Sequence, residues 1–236
     1  MDLNKSLAES LQELESVLVS LGFQPGLCHK DGLTATQVEE ISSRANIVLP
    51  EELKVLYQWK SGLRDEATLN LLETMIFNGC FLNDLEHAIE SHRNFLNRRW
   101  FDIAMQEMER DKQEQQWPEL LLDPSQIDGV WEAFIDGCGN YLLAGLPHDP
   151  ELPCPIIKHS KVPEGWFEEH PRIYPSVHAM IRTTIAYYQE GAYFLTDEGL
   201  EYDDIAEAQI ALRMNPDVKY WKYKLDDLTQ GTNFVW

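Results

Sequence analysis

Leucines at 7, 11, 14, 18 and 21 recur at alternating steps of four and three, the period of one face of a helix, and Gly22 follows where a left-handed cap belongs. Two heptads are too few for a coiled coil, so the stripe is expected to dock on its own domain, in a monomer. A loop with Pro25, Gly26 and Gly32 leads to a second helix, for which Thr36-Gln37-Val38-Glu39 reads as a capping box and Val38, Ile41 and Ala45 as the inner face. In Leu49-Pro50-Glu51-Glu52 the proline suits a first helical position and the carboxylates favour the positive helix end. Leu53, Leu56 and Tyr57 then form an inner face, with Gly62 as the expected stop.

Leu69 to Leu82 is apolar and broken by Asn78-Gly79, which reads as strands or irregular β. Asn83 or Asp84 caps a helix lined by Leu85, Ala88, Ile89, His92, Phe95 and Leu96. His92 on that stripe reads as a packed, hydrogen-bonded side chain, since no Cys or His lies at metal spacing from it. Trp100, Phe101, Ala104, Met105 and Met108 continue the core pattern; Glu107 to Gln116 reads as a solvated end before Trp117-Pro118.

Trp131 to Leu146 carries the strongest local signal, two apolar runs meeting at Asp136-Gly137-Cys138-Gly139-Asn140. Gly137 and Gly139 permit positive φ, and Asp136 and Asn140 can bond nearby backbone, which is hairpin chemistry. Trp131, Ala133 and Ile135 are expected on one face of the first strand and Val130 and Phe134 on the other. In the second strand Tyr141, Leu143 and Gly145 oppose Leu142, Ala144 and Leu146. Both faces are apolar, as in a strand pair covered on two sides. A dinucleotide fingerprint starting at Gly137 fails, because Leu142 stands at the third glycine and a β-prone run follows. Beyond a proline-rich loop, His148 to Pro155, lies a candidate strand, Pro155 to Ser160. The helix Ser176 to Gln189 puts Val177, Met180, Ile181, Thr184, Ile185 and Tyr188 on one face, and Gly191 stops it. A last helix is expected over Asp204 to Met214, capped by Asp203 or Asp204 and stopped by Asn215-Pro216, before an aromatic end of Trp221, Tyr223, Phe234 and Trp236.

The net charge is −21 over 236 residues. Spread over a folded surface of roughly 11,000 Å², that leaves about 1.5 excess charges in a footprint of about 800 Å², so the mean is no recognition signal. Clustering matters more. No Lys or Arg occurs from Thr183 to Leu212, while Asp197, Glu198, Glu201, Asp203, Asp204 and Glu207 crowd one strip. The strip reads either as a solvated face or as a patch that steers a basic partner, with Tyr193, Phe194 and Tyr202 as aromatic anchors. Direct nucleic-acid binding is disfavoured, and the short cluster Arg93, Arg98 and Arg99 does not reverse that.

Acids interrupt the first apolar stretch at Asp2, Glu9, Glu13 and Glu15, unlike a signal peptide, and no uncharged run is long enough to cross a bilayer. Cys28, Cys80, Cys138 and Cys154 are scattered, which fits reduced thiols in a cytoplasm. G-x-S-x-G, H-E-x-x-H and Walker loops are absent, and the seven histidines show no metal spacing. A hydrolase would have to use Asp149 with His148 or His159, neighbours that a polar loop produces by chance. No catalytic residue, cofactor or metal is expected.

A capped helix, Leu49-Pro50 opening a second helix that ends at Ser61-Gly62, Phe81-Leu82 leading into a helix, the Trp131 to Leu146 hairpin and the helix 176–189 together resemble the Smi/Knr family of the SUKH superfamily. The resemblance covers residues 34–190, with 1–33 as an N-terminal helix and linker and 191–236 as an acidic, aromatic extension packed on the domain. Its motif positions are Leu49, Pro50, Gly62, Trp131, Asp136, Gly137, Gly139 and Asn140. The family commonly has Asn-Gly where this chain has Ser61-Gly62. The resemblance implies an α+β fold, a mixed, mainly antiparallel sheet flanked by helices, with an N-terminal helix and a C-terminal helical extension. It also implies a non-catalytic protein-binding module. Many members look like immunity proteins that occlude toxins of polymorphic or contact-dependent systems, often nucleases; others are regulatory adaptors of complexes such as those of envelope assembly or secretion. The resemblance and the acidic strip agree on a basic toxin domain as partner, and the strip supplies the expected contact residues, Asp197, Glu198, Glu201, Tyr202, Asp203, Asp204 and Glu207.

Overall fold

Ser6 opens the first helix, α1 (Leu7–Ser20), through a reciprocal capping box with Glu9. Leu7, Leu11, Leu14 and Leu18 are buried, while Leu21, beyond the last turn, is exposed. Gly22, at φ +93°, closes the helix as its spacing predicts: its N–H donates to Val19 O at 3.1 Å and that of Phe23 to Leu18 O at 3.0 Å. The structure, a computed structural model, describes residues 5–64, 75–77, 79–97, 127–137, 139–159, 171–196 and 199–230. The expected elements over 69–74 and 98–126, and the aromatics Phe234 and Trp236, lie outside the described residues, as do the side chains of Phe95 and Leu96.

A short helix α2 (Pro25–Cys28) runs into strand β1 (His29–Asp31), and α3 (Ala35–Ala45) follows. The capping box of α3 is two residues earlier than expected. Thr34, with extended φ and ψ, accepts from Gln37 N–H at 3.2 Å, whereas Thr36 is already inside the helix. Both frames fit the sequence motif, and backbone conformation at Thr34 selects the first. In α4 (Glu51–Trp59) Pro50 is the N-cap rather than the first helical residue, and Leu53, Leu56 and Tyr57 are buried as expected. The helix stops at Trp59, before Gly62. Lys60–Leu63 forms β2, antiparallel to β1. Gly62 instead sits in the strand at φ +114°, where a Cβ would approach Asp84 Cα to 3.1 Å.

The central sheet has five strands, β3 (Phe81–Leu82), β4 (Ile127–Ile135), β5 (Tyr141–Pro147), β6 (Ile156–His159) and β7 (Arg172–Tyr174), hydrogen-bonded in chain order and antiparallel at every described pairing. Two register shifts in β4 correct the expected alternation. Trp131 pairs with Ala144 and Phe134 with Leu142, three steps on β4 against two on β5, so the bulge turns Trp131 and Phe134 to the same face. Both join the main core with Leu142, Ala144 and Leu146, while Ile127, Leu143 and Ile157, with Val130 and Tyr141, cluster separately.

Asp84 caps α5 (Leu85–Asn97), accepting Glu86 N–H on its carboxylate at 2.9 Å. The helix α6 (Val177–Gln189) is buried on nearly every side, Thr183, Ala186 and Tyr187 included, because α1, α4, β7 and the later helix Asp204–Met214 surround it. Beyond Gly191 comes a ribbon absent from the sequence pattern, β8 (Tyr193–Thr196) and β9 (Gly199–Tyr202). The helices α7 (Asp204–Met214) and α8 (Lys219–Gln230) follow. Leu7 to Leu18, Trp131 and Trp221 belong to one continuous core, so the three sequence segments fold on a common centre, in an α+β arrangement of antiparallel sheets flanked by helices.

Candidate functional site

The ribbon pairs Tyr193 with Tyr202, Phe194 with Glu201 and Leu195 with Leu200. Strand alternation therefore turns Tyr193, Leu195, Leu200 and Tyr202 inward and Phe194, Thr196 and Glu201 outward. Leu195 and Leu200 pack on the core, and Thr196 Oγ1 donates to Glu201 Oε1 at 3.1 Å on the outer face. Phe194 is 41% exposed, and Tyr202, resting its ring on that of Tyr193 at 6.1 Å, is 52% exposed.

The acids of the strip separate. Asp203 is the N-cap of α7, its Oδ1 accepting the N–H groups of Ile205 and Ala206 at 2.9 and 3.0 Å. Asp204 is exposed and paired with Lys224 Nζ at 3.1 Å. Glu207, expected on the partner surface, is instead fully buried, because α7 faces the core with Glu207, Ala208 and Ala211. Tyr193 OH donates to its Oε1 at 2.6 Å and Lys224 Nζ to its Oε2 at 2.5 Å. Tyr193 is likewise no surface anchor, being 1% exposed. Asp197 and Glu198 lie outside the described residues. What stays exposed at this corner is Phe194, Glu201, Tyr202, Asp203, Asp204 and Ile205.

The buried network continues inward. Tyr174 and Tyr187 share a hydroxyl hydrogen bond of 3.0 Å, and the rings of Tyr187 and Tyr193 lie 4.7 Å apart. Burial and the Glu207 charge hold the Tyr193 hydroxyl well above its ordinary pKa, so it stays a donor. Burial disfavours the Lys224 charge, yet Glu207, with Tyr220 and the Asp204 hydrogen bond, outweighs that and raises its pKa. A stretch of sequence without Lys or Arg is thus not a surface without cations: Lys224 comes from α8, and Arg213 pairs with Glu190.

The motif positions are structural. Trp131 Nε1 donates to Tyr57 OH at 3.0 Å inside the core, and Leu49 is 1% exposed. Asp136 Oδ1 accepts the N–H groups of Gly139 and Asn140, both at 3.0 Å, with Gly137 and Gly139 at positive φ; Cys138 lies outside the described residues. The sequence pattern missed the part played by Glu52. Its carboxylate reaches past its own helix to accept Cys154 N–H at 2.7 Å, Val177 N–H at 3.2 Å and His178 N–H at 3.1 Å, where the positive end of α6 favours it.

The histidines and the aspartate weighed for a hydrolase have these described partners. His148 pairs with Asp128 at 2.5 Å, Asp149 accepts Glu151 N–H at 3.0 Å, and the His159 ring lies 5.3 Å from that of Tyr141. His92 shares a 3.0 Å hydrogen bond with Val130 O and packs on Trp131. Among the described residues no group of three or more His, Cys, Asp or Glu side chains could hold a metal ion. No described helix is long and apolar enough to cross a membrane.

The class that the fold defines is an α+β protein whose exposed aromatic side chains among the described residues, Phe194 and Tyr202, lie on a ribbon that leads into the acidic start of a helix. Comparison with known proteins finds no family model and no curated protein that matches the chain.

Proposed function

We propose that this chain is a non-catalytic protein-binding module of the cytoplasm, an immunity protein that neutralises a basic toxin domain, such as a nuclease, by occluding its active site. One observation carries the reading: Phe194 and Glu201 face each other on the outer side of the β8–β9 ribbon, exposed, beside Tyr202, Asp203 and Asp204. An exposed aromatic side chain with an acid opposite it, on a ribbon that leads into the acidic start of α7 and is held by the buried Tyr193, Glu207 and Lys224 bonds, is a preorganised surface for a basic partner. The resemblance to the Smi/Knr family adds support from the sequence side, and occlusion needs complementarity rather than a catalytic group.

The test uses wild-type protein and the Phe194→Ala/Glu201→Lys variant as bait in the native host, followed by binding measurements on the purified partner. Both positions are free of the capping and burial roles that make Asp203 and Glu207 poor probes. The wild type is expected to retain a basic domain, to suppress its toxicity on co-expression, and to lose at least ~30-fold in affinity in the double variant. Unchanged binding by the variant would remove the corner from the interface. A partner that is a non-toxic member of a housekeeping complex would make the chain an adaptor.

A further inference from the structure

His29 is the anomaly of the interior. Its side chain is 0% exposed, and neither ring nitrogen has a hydrogen-bond partner, a condition rare for buried polar groups. It opens β1, opposite Leu63 of β2, at the point where α1, α4 and the β1–β2 ribbon converge. The charged groups around it are few. From β2, Lys60 is 9% exposed at its side chain and rests its Nζ 3.1 Å from Glu15 Oε1 of α1; Trp59 Nε1 donates to the other oxygen of Glu15 at 3.3 Å. Arg64 Nε donates to His29 O at 2.9 Å and reaches Asp31 at 3.4 Å. Lys30 of β1 turns away to Asp84, at 3.1 Å. Glu15 is thus the anion shared by Lys60 and any charge that His29 acquires.

We propose that His29 makes the β1–β2 ribbon an acid-sensitive latch. Protonation at either ring nitrogen adds a second buried cation near Lys60, with Glu15 the one carboxylate acting on it, and the charged ring reaches water only if the ribbon opens. Opening undoes the antiparallel pairing of 29–31 with 60–63, one of the ties between the N-terminal segment and the rest of the domain. Burial, followed by Lys60, lowers the His29 pKa from 6.5 to about 4, with Glu15 working in the opposite direction. The sign follows. The closed ribbon favours neutral imidazole, so its stability is full above pH 6.5 and falls as the pH drops toward 4, where the open form holds the proton. Over that interval the opening equilibrium rises on the order of 300-fold.

Hydrogen exchange of the full chain, corrected for the intrinsic pH dependence of exchange, measures this directly. Protection at residues 29–31 and 60–63 is expected to fall by roughly tenfold per pH unit below 6.5, ahead of the central sheet. His29→Leu, which removes only unpartnered nitrogens, is expected to keep that protection flat over the same range. Lys60→Met is expected to shrink the loss, because Glu15 then faces the imidazolium alone. Equal loss of protection in His29→Leu and wild type overturns the proposal. Should the leucine variant fold poorly, the wild-type His29 resonance decides: titration near pH 6.5 with the ribbon amides still protected overturns it as well.

Discussion

Glu207 and Lys224 show how much one residue's meaning depends on a partner far along the chain. A fully buried carboxylate is costly unless it is paired and its remaining lone pairs are filled, and here Lys224 and Tyr193 do both. Lys224→Met is therefore expected to destabilise the fold by about 3–5 kcal/mol in urea unfolding, since it strands the Glu207 charge. Adding Glu207→Gln should recover part of that loss, because an amide is cheaper to bury than a charge. The sequence placed Glu207 in an exposed strip because its neighbours at 201, 203 and 204 are acidic, and nothing local announces a lysine 17 residues on. The thiols carry a second residue-scale prediction. Burial pushes the Cys80 thiol up to about 12 and Cys154 higher still. Alkylation followed by mass spectrometry should label neither at neutral pH until denaturant is added.

Among the elements, Leu49-Pro50-Glu51-Glu52 was legible as a helix start, and its acids as favourable near a helix N-terminus. The helix that Glu52 serves is α6, 125 residues away in sequence, counting from Glu52 to the Val177 N–H it accepts. Glu52→Ala should cost about 2–3 kcal/mol and expose the start of α6 to exchange, as expected for three charge-assisted bonds to backbone donors. Periodic helices were readable because their stripes are local: the faces of α4 and α6 match the buried residues, as does that of α1 except for Leu21, which lies past the helix end and is exposed. Strands were harder. The two bulges of β4 replace simple alternation with a register that only its pairing with β5 reveals, and β7, three residues long, has too little pattern to be seen. The β8–β9 ribbon was hidden by its composition, since Tyr193-Phe194-Leu195 followed by acids resembles an exposed strip as much as a hairpin with one buried face.

At the scale of the whole molecule, the N-terminal helix, the hairpin region and the C-terminal extension share one core. Trp221 of α8 donates to Ile173 O of the edge strand β7 at 2.6 Å and packs on Tyr174. Removing α8 should abolish cooperative unfolding rather than trim a tail, whereas the full chain should melt in a single transition by calorimetry. The candidate surface was legible in outline, as acids beside aromatics. Which of them face solvent was not, because that depends on the ribbon's alternation and on the arrival of Lys224. The corner that remains is the centre of the functional account, and association kinetics with the captured partner domain test it most directly. The account predicts a wild-type association rate that falls steeply with added salt, and a Phe194→Ala/Glu201→Lys variant, folded and equally stable, that associates more slowly and binds at least ~30-fold more weakly. Identical rates and affinity for the two proteins at every salt concentration would contradict it.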